Sequence, residues 1–235
     1  MKKLKKFIRF LDRLTDKMMF LLFLLFFLIG VYALYDSYMV YMAANDDSLL
    51  KFKPGYEKEE PEKEIKGNMV AWLTLDDTSI DYPVMQGDDN SEYLNVDPYG
   101  DYSLSGSIFL DSRNSSDFTD EYSLIYGHHM EHDAMFGTLD KYLEEDFFNS
   151  HRTGTLYVDD VPHKIHLFAV MECAATQEEI FAPTEIFLDK TTKYIQDHAM
   201  YLDENSWDKD KKLLALSTCK YPDTADRTIV VGTLE

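Results

Sequence analysis

The sequence predicts a mostly-β fold, a closed eight-stranded barrel with a few helices, preceded by an N-terminal transmembrane helix. Two observations carry this prediction: an uncharged apolar run near the N-terminus, and a succession of short apolar, β-branched segments from Met69 onward. Many short strands with few helical patterns between them favour an antiparallel sheet that closes on itself over a parallel sheet. A length of 235 residues accommodates one such domain and a tail.

The apolar run extends from Met18 to Tyr35 without a charged residue, which suffices at the short end for the about 20 residues that span a bilayer. Seven Lys and Arg residues precede it, and the positive-inside rule then keeps the N-terminus in the cytoplasm. We therefore expect a single-pass protein of the cell membrane, with a cytoplasmic basic tail over 1–17, a transmembrane helix over 18–38 and the rest outside. A cleaved signal peptide is the alternative, but the apolar run is longer than usual and no cleavage motif follows closely.

The exported part divides into an extracellular helical or charged linker over 39–68 and the barrel domain over 69–235. Apolar runs typical of strands occupy eight segments: 70–75, 79–85, 107–110, 122–126, 155–158, 163–171, 213–218 and 228–234. Two helical patterns interrupt them, Met135 to Phe148 and Thr184 to Tyr201, in which apolar residues recur about every three to four positions.

The formal net charge of −20 arises outside residues 1–17, because that segment carries seven basic and only two acidic residues. Such an acidic surface repels phosphates, so the composition excludes nucleic acid as a partner.

Three residues at predicted strand ends supply the parts for cleaving an acyl bond through a thioester. Cys219 follows the strand 213–218, Arg227 opens the last strand, and His128 comes after Gly127 at the end of the fourth. The thiolate attacks, the imidazole moves protons and the guanidinium stabilises the negative oxygen of the tetrahedral intermediate. Gly127 lets the chain turn sharply and hold the ring outward. Ser217, two residues before the thiol, shares a strand face with Cys219.

Longer motifs around these residues resemble a known family. They comprise Leu216-Ser217-Thr218-Cys219, Tyr126-Gly127-His128-His129-Met130, Arg227-Thr-Ile-Val-Val, Ile80 to Gln86, Asp89-Asn90, Tyr93-Leu94 and Gly106 to Asp111. Over about residues 69–235 the chain resembles the class B sortases, cysteine transpeptidases of Gram-positive cell surfaces. One position departs from the family pattern: His129 stands where the residue after the catalytic histidine is usually Asn.

The resemblance implies His128, Cys219 and Arg227 as catalytic residues in an eight-stranded barrel. It also implies Asn90, Leu94, Ser217 and Thr218 as residues that hold the substrate. The substrate implied is a surface protein with a C-terminal sorting signal, cleaved after Thr and joined to Cys219. An amine of a peptidoglycan precursor or of a pilin would then take the acyl group. No cofactor and no metal ion is expected, although calcium in the acid-rich turns is compatible with mild stimulation.

Several alternatives stay open at this point. The same thiol chemistry suits a cysteine hydrolase that passes the acyl group to water, and a barrel of this kind also suits a non-enzymatic surface-exposed binding domain. The run from His128 to His132 spells His-x-x-Glu-His, a zinc-peptidase pattern that requires a helix. Cys173 and Cys219 are either linked by a disulfide or free.

Overall fold

The computed structural model describes residues 2–44, 46–56, 63–183, 188–204, 207, 210–219 and 226–235, with the side chain of Cys219 outside the description. The chain forms two compact units, Met1–Met42 and Ala43–Glu235. The described residues of the first unit lie within α1 (Lys2–Ala44), whose apolar stretch is long enough to cross a membrane. The second contains the β-sheet.

The described part of the second unit has nine strands and three α-helices. The strands are β1 (Met69–Leu75), β2 (Asp81–Met85), β3 (Ile108–Leu110), β4 (Tyr122–Gly127), β5 (Thr153–Val158), β6 (Val161–Ala174), β7 (Tyr201–Leu202), β8 (Lys212–Cys219) and β9 (Asp226–Leu234). The helices are α2 (Glu145–Ser150), α3 (Glu178–Phe181) and α4 (Leu188–His198). Short 3₁₀ segments lie at Asp47–Phe52, Glu92–Leu94, Glu131–Asp133 and Gly137–Leu143.

The sheet closes into a barrel of eight strands in the order β5-β1-β2-β3-β4-β8-β9-β6, because β6 pairs again with β5. The two-residue β7 adds to β6 outside this ring. The β2–β3 and β4–β8 pairs are parallel, and the other pairs of the ring are antiparallel. The prediction of an eight-stranded, mostly antiparallel barrel is therefore confirmed.

Strand alternation divides the apolar residues between two layers. One set, including Leu216 and Val230, belongs to a buried cluster to which every strand of the eight-stranded ring contributes. The neighbouring positions, including Ala215 and Ile229, pack with Ile180 of α3 and Ile195 of α4 in a second cluster. The helices between β6 and β8 thus cover one outer face of the barrel.

The predicted helix from Met135 to Phe148 is a 3₁₀ segment followed by α2. Met135 has a φ of 52°, a left-handed conformation that no α-helix contains. Glu144, with a ψ of 125°, separates Gly137–Leu143 from α2. The second predicted helix, Thr184 to Tyr201, is α4 over Leu188–His198, and its positions 184–187 lie outside the described residues.

The segment before β1 packs against the barrel. Leu49 is buried with Trp72 and Tyr99. The Nζ of Lys53 lies 2.8 Å from both carboxylate oxygens of Asp81, the first residue of β2. These contacts tie residues that precede the barrel strands to β1 and β2.

Candidate active site

Three neighbouring strands bring the backbone of the candidate catalytic residues to one end of the barrel. Gly127 pairs with Thr218 across the parallel β4–β8 ladder, so the next residue along the chain is His128, just beyond β4, on one side and Cys219, the last residue of β8, on the other. Cys219 pairs directly with Arg227 across the antiparallel β8–β9 ladder.

At this end lies a cavity of about 280 Å³. Six of its lining residues are predicted for catalysis or substrate binding: Asn90, Leu94, His128, Ser217, Thr218 and Arg227. The other five are not predicted for either role: Phe109, Tyr126, Gly127, Ala175 and Phe181. Six of the seven predicted site residues therefore share one cavity, and the seventh, Cys219, is the backbone partner of Arg227.

Gly127 is required for a reason that differs from the one expected. Its backbone does not adopt the left-handed conformation that a sharp turn needs. Instead, a Cβ atom added here would lie 2.7 Å from the ring of Phe136 and closer still to the Cδ1 of Ile108. The residue before His128 is therefore small because β4 passes tightly over the core, and the histidine loop starts from a closely packed point.

The ring of His128 is held by the main chain of the neighbouring loop. Its Nε2 lies 2.7 Å from the carbonyl oxygen of Leu94. A carbonyl only accepts hydrogen bonds, so Nε2 carries the proton in this arrangement. Leu94 thus orients the imidazole as well as lining the cavity, a role that the sequence did not indicate.

A buried carboxylate, Asp111, anchors the cavity wall. It accepts hydrogen bonds from Nε and Nη2 of Arg113 at 2.8 and 2.7 Å, and from the hydroxyl of Tyr126 and the amide of Asn90 at 2.9 Å each. Burial alone would raise the pKa of Asp111, but the hydrogen bonds from Arg113 and Tyr126 outweigh it and lower the pKa. Arg113 also donates to the carbonyl of Phe181 at 2.5 Å, which links this carboxylate to α3.

Tyr126 forms the aromatic side of the cavity. Its ring lies 5.3 Å from that of Phe109 and stacks at 6.4 Å on that of Phe181, measured between centroids. Burial raises the pKa of Tyr126 well above its ordinary value, so the hydroxyl is a permanent donor to Asp111. Both residues stand in the motifs quoted above, but the sequence assigned neither a role, because an aspartate in so acidic a chain resembles a surface residue and the tyrosine resembles a core residue.

The predicted substrate-binding residues differ in whether their polar groups already have hydrogen-bond partners. Asn90 already bonds Asp111 through its amide and accepts from the backbone N–H of Ser112 at 2.7 Å. In the described part of the chain, the hydroxyls of Ser217 and Thr218 are buried without a hydrogen-bond partner. Such groups are costly unless another molecule satisfies them.

Residues 128–132 do not form the helix that the zinc-peptidase interpretation requires. β4 ends at Gly127, and only Glu131–Asp133 forms a short 3₁₀ turn, in which His132 has a φ of 59°. No group of three or more His, Cys, Asp and Glu residues suited to a metal ion occurs among the described residues. His129, the position that departs from the family pattern, instead lies 3.0 Å from Asp140 through its Nε2.

The register also excludes a disulfide between the two cysteines. Cys173 and Cys219 pair with Arg227 from opposite sides, which puts them two strand spacings, or roughly 10 Å, apart. A disulfide requires Cα atoms within about 7 Å. Burial raises the pKa of Cys173 to about 12, although Arg227 opposes this, so its thiol stays protonated at neutral pH.

Comparison with known proteins finds matches to the part of the chain that forms the barrel. A family model described as the Sortase domain matches residues 73–235. Sortase B of Listeria monocytogenes serovar 1/2a is 34% identical over 160 residues, which are 67% of this chain and 65% of that protein. Sortase B of Staphylococcus aureus is 31% identical over 193 residues, 77% of this chain and 74% of that protein. The Listeria match thus spans slightly less than two thirds of the relative.

Solved structures agree with these matches. A Streptococcus pyogenes class B sortase involved in pilus biogenesis has a TM-score of 0.66 and 38% identity, covering 72% of this chain and 92% of that one. The S. aureus sortase B–substrate complex also has a TM-score of 0.66, with 26% identity, covering 73% and 81%.

The chain therefore belongs to the sortase family, a family of cysteine transpeptidases. The relatives and structures named above are class B sortases or sortase B proteins, which confirms the resemblance to class B.

Proposed function

We propose that this chain is a membrane-anchored cysteine transpeptidase that cleaves a sorting signal after Thr and transfers the acyl group from Cys219 to an amine. The observation that carries the proposal is the register of β4, β8 and β9, which aligns the backbone of His128, Cys219 and Arg227 beside one cavity. Cys173 is unsuited to be the nucleophile, because its raised pKa keeps the thiol protonated.

Each of the three residues has a distinct role in the proposed reaction. The Cys219 thiolate forms a C–S bond to the carbonyl carbon of Thr, and the carbonyl π pair moves to oxygen, where the Arg227 guanidinium stabilises it. The C–N bond then breaks as His128, in its imidazolium form, gives a proton to the leaving amine. The acceptor amine attacks the thioester, His128 takes a proton from it, and the thiolate leaves.

The hydrogen bond between His128 and Leu94 bears on this proton transfer. Because Nε2 donates to the Leu94 carbonyl, Nδ1 is the nitrogen we assign to the leaving group. The same contact joins the catalytic ring to a residue of the substrate cavity, so binding a substrate against Leu94 would fix the imidazole at the same time.

Substrate recognition is assigned to Asn90, Leu94, Ser217 and Thr218. The buried hydroxyl of Ser217, which lies on the strand face of Cys219, supports this, since a bound peptide backbone would supply its hydrogen-bond partner. Among the relatives, S. aureus sortase B has been solved with a substrate, and a sortase B has been solved with triglycine. These complexes support a peptide donor and an amine acceptor for this chain.

The acceptor is an amine of a peptidoglycan precursor or of a pilin. Two structural relatives, from S. pyogenes and from the type II pilus of Streptococcus pneumoniae, are associated with pili. Both acceptors present an unprotonated amine to the same thioester, so the three catalytic residues serve either reaction.

Membrane anchoring is assigned to α1, with the N-terminus in the cytoplasm and residues 39–235 outside. The uncharged run and the preceding basic residues support it. Protease added to intact protoplasts should remove the C-terminal domain, and full protection would contradict this orientation.

The test of the reaction uses the full chain in detergent with a library of sorting-signal peptides, with and without triglycine. The parent should release the fragment after Thr and form the triglycine adduct in preference to the acid, whereas Cys219→Ala should do neither. Acid alone, even at high triglycine concentration, would indicate the hydrolase. Binding of the peptides without cleavage by either protein would indicate the non-enzymatic binding domain.

A further inference from the structure

One carboxylate connects the histidine loop to the last strand behind the cavity. Asp140, in the 3₁₀ segment Gly137–Leu143, accepts a hydrogen bond from the hydroxyl of Thr228 at 2.7 Å. Its other oxygen lies 3.0 Å from the Nε2 of His129. Thr228 is fully buried, whereas Asp140 and His129 are partly exposed.

Each partner of Asp140 is the chain neighbour of a candidate catalytic residue. His129 follows His128, and Thr228 follows Arg227 on β9. Successive residues of an extended chain point to opposite faces, so these contacts form on the side away from the cavity. Thr228 is also the ladder partner of Thr218, the residue before Cys219.

We propose that Asp140, His129 and Thr228 form a positioning brace that fixes the distance between the catalytic imidazole and the catalytic guanidinium. This inference rests on the catalytic roles proposed above. None of the three brace residues lines the cavity, so they act through His128 and Arg227.

The need for a brace follows from where the chain leaves the sheet. β4 ends at Gly127, and His128 stands on the loop beyond it, whereas Arg227 is within the β9 ladder. A displacement of about 1 Å between reacting groups lowers rates by as much as about 10². The carboxylate also raises the pKa of His129, through its hydrogen bond first and its charge second, which favours the charged and stronger form of the contact.

The test compares matched variants of the full-length protein. Thr228→Val removes the hydroxyl donor and keeps the shape, and Thr228→Ser retains the donor. Thr228→Val should lower kcat about tenfold and change KM less than about twofold, while Thr228→Ser should recover most of kcat. His129→Ala should lower kcat similarly, and His129→Gln, which places an uncharged donor near the position of Nε2, should recover part of it.

The outcomes separate this inference from the proposed function. If Cys219→Ala retained turnover, the thioester mechanism itself would be wrong. If Cys219→Ala were inactive but Thr228→Val and His129→Ala kept the parent kcat, or raised KM instead, only the brace would be overturned. Thermal unfolding identifies any variant that fails to fold. If Thr228→Val does not fold, the comparison of His129→Ala with His129→Gln, at a partly exposed position, decides the question.

A second inference concerns the other end of the chain, residues 2–17 of α1. Apolar residues recur there with helical spacing and are exposed: Leu4, Phe7, Ile8, Leu11 and Leu14, with Phe10 at the edge of this face. The opposite face carries most of the seven Lys and Arg residues of this segment. The result is a basic amphipathic helix with an uncovered apolar face.

The length of α1 leaves this segment outside the hydrocarbon. A helix of 43 residues is roughly 65 Å long, about twice the 30 Å that it has to cross. Thr15 lies between the amphipathic segment and the uncharged run. Its hydroxyl bonds back to the carbonyls of Leu11 and Asp12, at 3.1 and 2.8 Å, a contact that favours bending of a helix.

We propose that residues 2–17 lie on the anionic inner surface of the membrane, with the apolar face in the headgroup region and the basic face toward the phosphates. This inference rests on the proposed membrane anchor. A bend near Thr15 lets the segment turn from the spanning direction into the plane of the bilayer. The positive charge of the basic face is complementary to an anionic lipid surface, which makes that surface the partner we propose for this segment.

Spin labels on opposite faces of the segment test this orientation. The labels are introduced by Ile8→Cys and Arg9→Cys, singly, in full-length protein that also carries Cys173→Ala and Cys219→Ala, held in nanodiscs of phosphatidylcholine with phosphatidylglycerol. The label at position 8 should be accessible to oxygen and shielded from a water-soluble nickel chelate, and the label at position 9 should show the reverse. Phosphatidylcholine alone should weaken the difference.

Equal access of the nickel chelate to both labels in the anionic discs would overturn the surface helix. Spin–spin broadening at position 8 that did not depend on lipid charge would overturn it too, because it would indicate a second copy on the apolar face. A label introduced by Leu25→Cys tests the anchor separately: exposure to the nickel chelate there would mean that α1 does not span the bilayer.

Discussion

Replacing Gly127 by alanine should weaken both the fold and the catalytic site. The new Cβ would lie 2.7 Å from the ring of Phe136 and closer to the Cδ1 of Ile108, and both neighbours are buried. Overpacking of this kind costs about 1–3 kcal/mol. For a domain of this size, about 2 kcal/mol corresponds to a fall in Tm of roughly 4–8 °C. Because His128 follows directly, kcat should fall as well.

Calorimetry and turnover of matched variants measure these effects. Gly87→Ala is the control, because its Cβ would meet only the exposed side chain of Glu92, whose carboxylate end can move aside and whose Cβ, at 3.0 Å, has to shift by a few tenths of an ångström. Ile108→Val deletes the Cδ1 atom that the new methyl group strikes. The double variant with Gly127→Ala should therefore be more stable than the sum of the two single effects, by about 0.5 kcal/mol or more. A parent-like Tm for Gly127→Ala, or strict additivity, would refute the close packing under the histidine loop.

Three further predictions follow from the contacts around the cavity. Tyr126→Phe, which keeps the ring stack but removes one donor to the Asp111 carboxylate, should cost about 1–2 kcal/mol in the free energy of unfolding measured by urea denaturation. A difference below about 0.3 kcal/mol would contradict this contact. Because Asp140 and Glu131 raise the pKa of His129, the stability advantage of the parent over His129→Gln should be greatest below the ordinary value of 6.5 and decline as pH rises through the raised pKa; an advantage that grew toward high pH would contradict that sign. Cys173→Ala should keep the parent turnover, and loss of activity in a folded variant would mean that Cys173 takes part in the chemistry.

The barrel could be predicted from the sequence because its strands are short apolar runs with clear limits. All eight predicted strands have a counterpart in the structure, with ends that differ by a few residues. The secondary structure of the segment from Met135 to Phe148 was harder to predict. Its apolar spacing fits a single helix, but the left-handed Met135 and the extended Glu144 interrupt that helix. Local backbone conformations of this kind do not change the spacing of apolar residues, so hydrophobic periodicity does not reveal them.

The site could be predicted only where function itself selects unusual residue types. Cys219, His128 and Arg227 stand out at strand ends, whereas Asp111 and Asp140 are indistinguishable in sequence from the many surface acids. Their partners are distant along the chain: Asp111 bonds Asn90, and Asp140 bonds Thr228. Only the closure of the barrel brings such pairs together, so pairwise contacts across the fold, and not motifs, identify them.

The most direct test of the central claim is the mass of the acyl-enzyme. The full-length protein is mixed with a cleavable sorting-signal peptide in the absence of an added amine, quenched in acid and digested for peptide mapping. The acyl group should be found on the peptide that contains Cys219, should be released by hydroxylamine, and should be missing from Cys219→Ala but present in Cys173→Ala. An acyl group on Cys173, or cleavage by Cys219→Ala at the parent rate, would contradict the thioester mechanism on Cys219.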